Sequence, residues 1–174
     1  MKAKKRILPR FTIGIDIGKH GAICIQEKDK EISNIKMPMI KTELDYQSLY
    51  DILTPYEGGN GLVIFEKLGV IFGTSKQTAF SMGHQAGSVE MACIALSIPF
   101  IKVPPKQWQK EMFVGVAEIK KSSKNTRDTK AMALIAAKRL FPKLKLTFGS
   151  VAKVPHDGLV DALLMSQYGI TKYT

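Results

Sequence analysis

Four acidic residues stand in three separate apolar frames of this 174-residue chain: Asp16 in FTIGIDIGKHGAICI, Glu66 in GLVIFEKLG, and Asp157 with Asp161 in PHDGLVDALLM. A carboxylate that interrupts or ends an apolar run is costly to desolvate unless something neutralises it. Any fold of the chain has to meet that cost at each frame. Acids are otherwise scarce, with 15 Asp and Glu against 26 Lys and Arg. The formal net charge of +11 implies a polyanionic partner, most simply nucleic acid. Divalent metal ions are good candidates for the neutralising charge, and the two features together point to a metal-dependent nuclease.

Other classes fit less well. A hydrophobic content of 45% belongs to a globular protein and not to a disordered one. The longest apolar stretch, MACIALSIPFI, is too short to span a bilayer and contains a Pro. The N-terminal MKAKKRILPRF is basic but has no apolar signal core behind it. Residues 1–10 read as a basic tail and 11–174 as a single nuclease domain. No basic amphipathic helix stands out, so a membrane partner is not expected and the default is a soluble, cytoplasmic protein. Cys24 and Cys93 lie in apolar runs without a partner at metal-ligand spacing, as buried reduced thiols do.

Residues 11–17, 21–27 and 31–37 read as three short strands with tight connections, a β-meander. Ile13, Ile15 and Ile17 alternate, Gly18 and Gly21 punctuate the first turn, and Asp29 and Lys30 sit in the second. Leu44, Leu49, Ile52 and Leu53 predict a helix over 43–54, ended by Pro55. Residues 62–65 (LVIF) suit a buried parallel strand. A polar loop over 67–76 precedes a long helix over 77–97, with Ala79, Met82, Ala86, Val89, Ala92 and Cys93 on its buried face. A strand over 98–103 stops at Pro104 and Pro105, and a short helix runs from Gln107 to Phe113. A charged connection over 117–130 leads to helices over 129–141 and 156–171. The fold class is α/β: a mixed five-stranded sheet, three antiparallel strands and then two parallel, with helices on both faces.

Asp16 is flanked by Ile15 and Ile17 and the turn comes after it, which argues against a turn-forming Asp. Glu66 directly ends its strand, and in open α/β sheets ligands bind just beyond such ends; alone it is equally readable as a surface Glu. Asp157 and Asp161, four apart at the start of a helix, share one face and would weaken that helix unless a cation sits between them. Asp157 alone would suit the first helical turn, but Asp161 lies among Leu159, Val160, Ala162, Leu163 and Leu164. Four such acids can hold two Mg²⁺ ions, with Mn²⁺ as a substitute, and without metal their crowding should raise at least one carboxylate pKa.

The chain resembles the RuvC-type Holliday junction resolvases of the RNase H-like superfamily, over nearly all of residues 11–171. The resemblance rests on GIDIG around Asp16, VIFEKL around Glu66, GHQAGSVEMACIA (83–95), KVPPKQWQK (102–110), DTKAMA (128–133) and HDGLVDALLM (156–165), in that order. It is most similar to the short resolvases carried by phages. The resemblance implies an RNase H-like fold in which Asp16, Glu66, Asp157 and Asp161 are the catalytic, metal-binding acids. It implies a homodimer, joined largely through the helix at 77–97, that places two sites on a four-way junction. Such enzymes nick two opposed strands and leave 5′-phosphate and 3′-hydroxyl ends. Lys110 and Lys130 match the family's basic residues near the scissile phosphate, with Lys106 an alternative to Lys110 and a solvated surface lysine the plainer reading of each.

Three departures matter. In familiar bacterial members the acid paired with the last Asp lies three positions before it; here that position is Gly158, and Asp157 lies four before. His156 is placed to orient water or bind metal, or simply to start the helix. The aromatic residue that follows the Glu in bacterial members has its nearest counterpart in Phe72, in a loop with Gly69 and Gly73. Lys67, Lys76, Lys106, Lys120, Lys121, Lys124 and Arg127 join Phe72 as candidate DNA contacts, of a kind that carries little sequence information and weakens with salt. Trp108 and Phe113 can stack on bases, though a lone Trp beside two prolines is more often a core anchor. The partner expected is branched DNA, four-way junctions first and forks and flaps second, with no small-molecule substrate.

Three rivals remain at the level of sequence. IGIDIGKHG resembles the first phosphate loop of sugar-kinase and actin-like ATPases, but those enclose ATP between two such domains. A non-catalytic branched-DNA-binding protein that keeps the fold would be favoured by loss of an acid, and all four are present. The third is an RNase H acting on RNA–DNA hybrids, against which the GHQAG helix and the KVPPKQW segment favour the resolvase branch.

Overall fold

The computed structural model describes residues 9–69, 75–122 and 126–173. β1 (Phe11–Asp16), β2 (Ala22–Glu27) and β3 (Ser33–Lys36) form the meander that the alternation predicts. The first turn closes with Gly21 N–H donating to the Gly18 carbonyl at 2.9 Å. Gly18 has φ +143°, a region that L side chains rarely enter.

The next segment differs from its expectation. Met39–Ile40 and Glu43–Leu44 form a two-stranded hairpin, β4 and β5, and helix α1 spans Tyr46–Leu53. Asp45 sets the boundary: its carboxylate accepts from Ser48 N–H at 3.1 Å and from the Ser48 hydroxyl at 2.6 Å. Leu44 keeps its helical spacing but is buried as a hairpin residue. Asp45→Ala should cost about 1 kcal/mol, the usual loss on deleting an N-cap, read from urea unfolding.

β6 (Gly61–Glu66) runs parallel to β1, and β7 (Phe100–Val103) runs parallel to β6. The five-stranded sheet has the order β3-β2-β1-β6-β7, as expected from the crossovers. Helix α2 spans Lys76–Ala95, α3 Pro105–Met112, α4 Thr129–Leu140 and α5 Asp157–Tyr173. On one face of the sheet Ile13, Ile15, Ile23, Val63 and Phe65 pack with Leu49, Leu53, Val89 and Cys93 of α1 and α2. On the other face Ala22, Cys24, Leu62 and Ile64 pack with Trp108, Met132, Ala136, Leu159 and Leu163 of α3, α4 and α5. Burial on both faces is why these strands read as nearly continuous apolar runs. Both cysteines are free and buried, and burial pushes each thiol up to about 12.

Two further expectations are corrected. Ala79 is exposed and Met82 only half-buried, because the buried part of α2 begins at Gln85. At 20 residues the helix is about 30 Å long, and a six-residue strand covers about 20 Å. The stretch between α3 and α4 is also more than a connection. Lys120 bridges to Arg127, Asp128 N–H donates to the Ile119 carbonyl at 2.7 Å, and the Arg127 guanidinium lies 5.6 Å over the Phe113 ring. Among the described residues no helix is long and apolar enough to cross a membrane.

Candidate active site

Asp16 and Glu66 are the last residues of β1 and β6. These strands are parallel neighbours whose register runs to Ile15 opposite Phe65, so both acids emerge at the same sheet edge. Helix α5 supplies the other two. It lies very close to β1: a Cβ on Gly14 would fall 2.0 Å from the Ala162 carbonyl oxygen and 2.6 Å from Ser166 N. At the helix start a Cβ on Gly158 would meet the His20 carbonyl oxygen at 2.4 Å and Asp16 Oδ2 at 2.7 Å. A side chain at 158 would run into the His20 carbonyl oxygen and the Gly21 Cα, backbone atoms that cannot turn aside, so this position takes a glycine and the acid of this turn is Asp157, one residue earlier.

The electrostatics match a crowded, partly dry cluster. Burial, then Asp161 and Glu66, pushes Asp16 up to about 8. Burial, then Glu66 and Asp157, pushes Asp161 up to about 7. Burial also raises Glu66, and the Trp108 indole N–H, donating to Glu66 Oε1 at 2.9 Å, works against that rise. Among the described residues, the lysine that contacts the cluster is Lys130, whose Nζ lies 2.7 Å from Asp157 Oδ2. Both partners are largely exposed, so this pair stabilises little. A cleft of about 170 Å³ opens beside Lys130, Pro155, Asp157, Val160 and Asp161.

A set of carboxylate oxygens with raised pKa values and one exposed lysine suits a hard divalent cation. Among the described residues no three His, Cys, Asp or Glu side chains are gathered closely enough on one point to hold an ion as they stand.

The other candidate residues fall into distinct places. Lys106 and Lys110 are exposed on α3, one turn apart and on the face opposite buried Trp108. Among the described residues Lys130, and not Lys110, contacts the carboxylates. Lys67 follows Glu66 directly, Lys76 opens α2, and Lys120 and Arg127 form an isolated antiparallel bridge, with Lys121 next to it, ahead of Lys130. Phe72 and Lys124 lie outside the described residues. His156 caps α5: its Nδ1 accepts from Leu159 N–H at 3.2 Å and its ring meets Phe148 edge-on at 4.9 Å. That nitrogen is thereby committed to the helix start.

Trp108 is fully buried and T-shaped against Phe113, the core anchor that the two prolines suggest. Its hydrogen bond to Glu66 was not legible in the sequence, since it depends on how α3 docks after β7. Trp108→Phe keeps the packing and removes the donor. The Glu66 carboxyl should then titrate higher than in the wild type, because the Trp108 N–H works against the rise caused by burial; an NMR titration of the side-chain carboxyl reads the shift.

No family model matches the sequence, and no curated protein matches it. Solved structures do. RuvC of Thermus thermophilus in complex with a Holliday junction substrate is 14% identical over 91% of this chain and 92% of that one, with a TM-score of 0.60. A second Thermus thermophilus RuvC structure is 16% identical over 91% and 92%, with a TM-score of 0.56. The yeast mitochondrial Holliday junction resolvase Ydc2 is 15% identical over 96% of this chain and 80% of that one, with a TM-score of 0.57. At these identities the likeness is one of fold, and it agrees with the strand order, the crossovers and the helices on both faces. The chain has the RNase H-like fold of the RuvC-type Holliday junction resolvases.

Proposed function

We propose that this chain is a Mg²⁺-dependent endonuclease that resolves Holliday junctions and related branched DNA. The observation that carries the reading is the convergence of Asp16, Glu66 and Asp161 from β1, β6 and α5 on one sheet edge. Burial raises the pKa of all three, and neighbouring carboxylates raise Asp16 and Asp161 further, against the lowering influence of Lys130 on those two. A net charge of +11 supports a polyanionic substrate, and a protein of the same fold is solved on a Holliday junction.

In this reading Asp16, Glu66, Asp157 and Asp161 hold two Mg²⁺ ions, with Mn²⁺ as a substitute, and the bound ions activate water and stabilise the leaving 3′ oxygen. Trp108 fixes the Glu66 carboxylate. Gly158 lets the start of α5 sit against Asp16. Lys130 adds positive charge beside the phosphate, and Lys67, Lys106, Lys110, Lys120, Lys121 and Arg127 hold the DNA backbone. The products carry 5′-phosphate and 3′-hydroxyl ends. Paired nicks need two sites, and α2 supplies a face for a second copy: Phe80, Gly83, Gly87, Met91 and Ile94 recur at three- and four-residue spacing and are all exposed.

The test is a panel of labelled four-way junctions, forks, linear duplexes and RNA–DNA hybrids incubated with Mg²⁺. Preferential cutting of the junction supports the proposal. Preferential cutting of the hybrid makes the chain an RNase H, and binding without any cutting makes it a branched-DNA-binding protein.

A further inference from the structure

Helix α3 is eight residues long and sinks Trp108 and Met112 into the core. It leaves β7 through Pro104 and Pro105, with no side-chain hydrogen bond capping its start. A short helix anchored by two buried side chains can roll about its own axis unless its flank is tied down. The roll matters here, because the Trp108 indole N–H donates to Glu66 Oε1 at 2.9 Å. A hydrogen bond weakens steeply once its length and angle leave a narrow range.

The flank of α3 is tied to α5 at two points. Gln107 Nε2 donates to the Tyr168 hydroxyl at 2.8 Å, and Lys172 Nζ lies 2.8 Å from Glu111 Oε1. Gln107 and Glu111 are one turn apart on α3, and Tyr168 and Lys172 are one turn apart on α5. Equal spacing on the two sides sets the helices parallel and in register. The ties differ in strength. The side chains of Lys172 and Glu111 are 41% and 32% exposed, where an ion pair holds weakly. Tyr168 is 1% exposed and belongs to the same core cluster as Trp108 and Met112, so its hydroxyl has a fixed place. A buried hydroxyl is costly to strip of a partner, which makes this the stronger tie. Helix α5 carries Asp157 and Asp161 at its other end. One helix thus supplies two of the four acids directly and reaches a third, Glu66, through α3.

We infer that Tyr168 and Gln107 are positioning residues for Glu66: the Tyr168 hydroxyl, acting through Gln107, fixes the roll of α3 at which the Trp108 N–H meets the Glu66 carboxylate. The inference rests on the nuclease reading only in giving that carboxylate an ion to hold. A carboxylate held from behind presents its free oxygen in one direction, as a ligand must.

The chain has a single Trp, so in ¹⁵N-labelled protein one indole N–H resonance reports this contact. The test uses the full chain in EDTA. Glu66→Gln exchanges a charged acceptor for a neutral one and gives the direction in which the resonance moves when the contact weakens. Tyr168→Phe and Gln107→Ala should each move it in that direction and speed its exchange with solvent about tenfold. The double variant should move it no further than either single one, since both remove the same bond. Backbone amides of β1 and α4 should keep their wild-type exchange. Gln107 is exposed, so Gln107→Ala decides the matter if Tyr168→Phe fails to fold. A resonance and an exchange rate unchanged in Gln107→Ala overturn the inference. So does faster exchange spread equally through β1 and α4, since the tie would then serve only the stability of the core. A Mg²⁺ titration followed on the same resonance separates the inference from the nuclease reading. The apparent Kd should rise about tenfold in Gln107→Ala. A wild-type resonance that responds to neither Mg²⁺ nor Mn²⁺ sinks the metal site, while the metal-free shifts still decide whether Tyr168 and Gln107 position Glu66.

Discussion

Asp161→Asn should reduce junction cleavage by at least about 10²–10³-fold, the scale of losing one preorganised electrostatic group, while leaving junction binding intact. The same substitution should make the metal-free protein more stable. Burial and the neighbouring acids push Asp161 up to about 7 and Asp16 up to about 8, from 3.8 for each. The folded chain therefore holds protons that the unfolded chain has already released. Unfolding free energy falls as pH rises from 3.8 toward about 8 and levels off beyond the folded-state pKa values. Below the unfolded pKa both states are protonated and the penalty vanishes. In EDTA the wild type should thus lose stability across this window, and Asp161→Asn should lose less because an amide does not titrate. Mg²⁺ should flatten the fall for the wild type by binding the ionised cluster, and have little effect on the variant. Thermal unfolding from pH 4 to pH 9, with and without Mg²⁺, reads all of this. A wild type whose stability is indifferent to pH and to Mg²⁺ would contradict the account.

Gly14→Ala should destabilise the chain by about 3 kcal/mol or more, beyond the usual cost of an added methyl group in a core. The added Cβ would meet backbone, the Ala162 carbonyl oxygen at 2.0 Å and Ser166 N at 2.6 Å, and neither can turn aside as a side chain can. Helix α5 has to move off β1. It carries Asp157 and Asp161, so surviving folded protein should also cut poorly. Urea unfolding measures the first effect, and cleavage under native conditions measures the second. A variant of wild-type stability would mean that α5 does not approach β1 this closely.

The sequence made the sheet legible because its strands obey simple rules. Alternating isoleucines around tight turns mark β1 and β2, and the short apolar run before Glu66 marks β6. The four acids were legible because carboxylates are rare in this chain and conspicuous in apolar frames. Other features were hidden by their dependence on tertiary contact. Leu44 has the spacing of a helix, yet Asp45 caps at Ser48 and leaves Leu44 in a hairpin. Gly158 looks like a missing acid until the start of α5 is seen against the backbone of His20 and Gly21. Trp108 reads as packing alone until α3 brings its N–H to Glu66. Lys130 and Lys110 were equal candidates in the sequence, and only the docking of α4 beside α5 separates them.

The most direct measurement is a time course on a four-way junction labelled on opposed strands, with Mg²⁺ and then with Mn²⁺, followed by treatment of the products with DNA ligase. The account predicts two nicks at symmetrically placed phosphates, sealed by ligase because they carry 5′-phosphate and 3′-hydroxyl ends. A wild-type protein that binds the junction and cuts it with neither metal would contradict it.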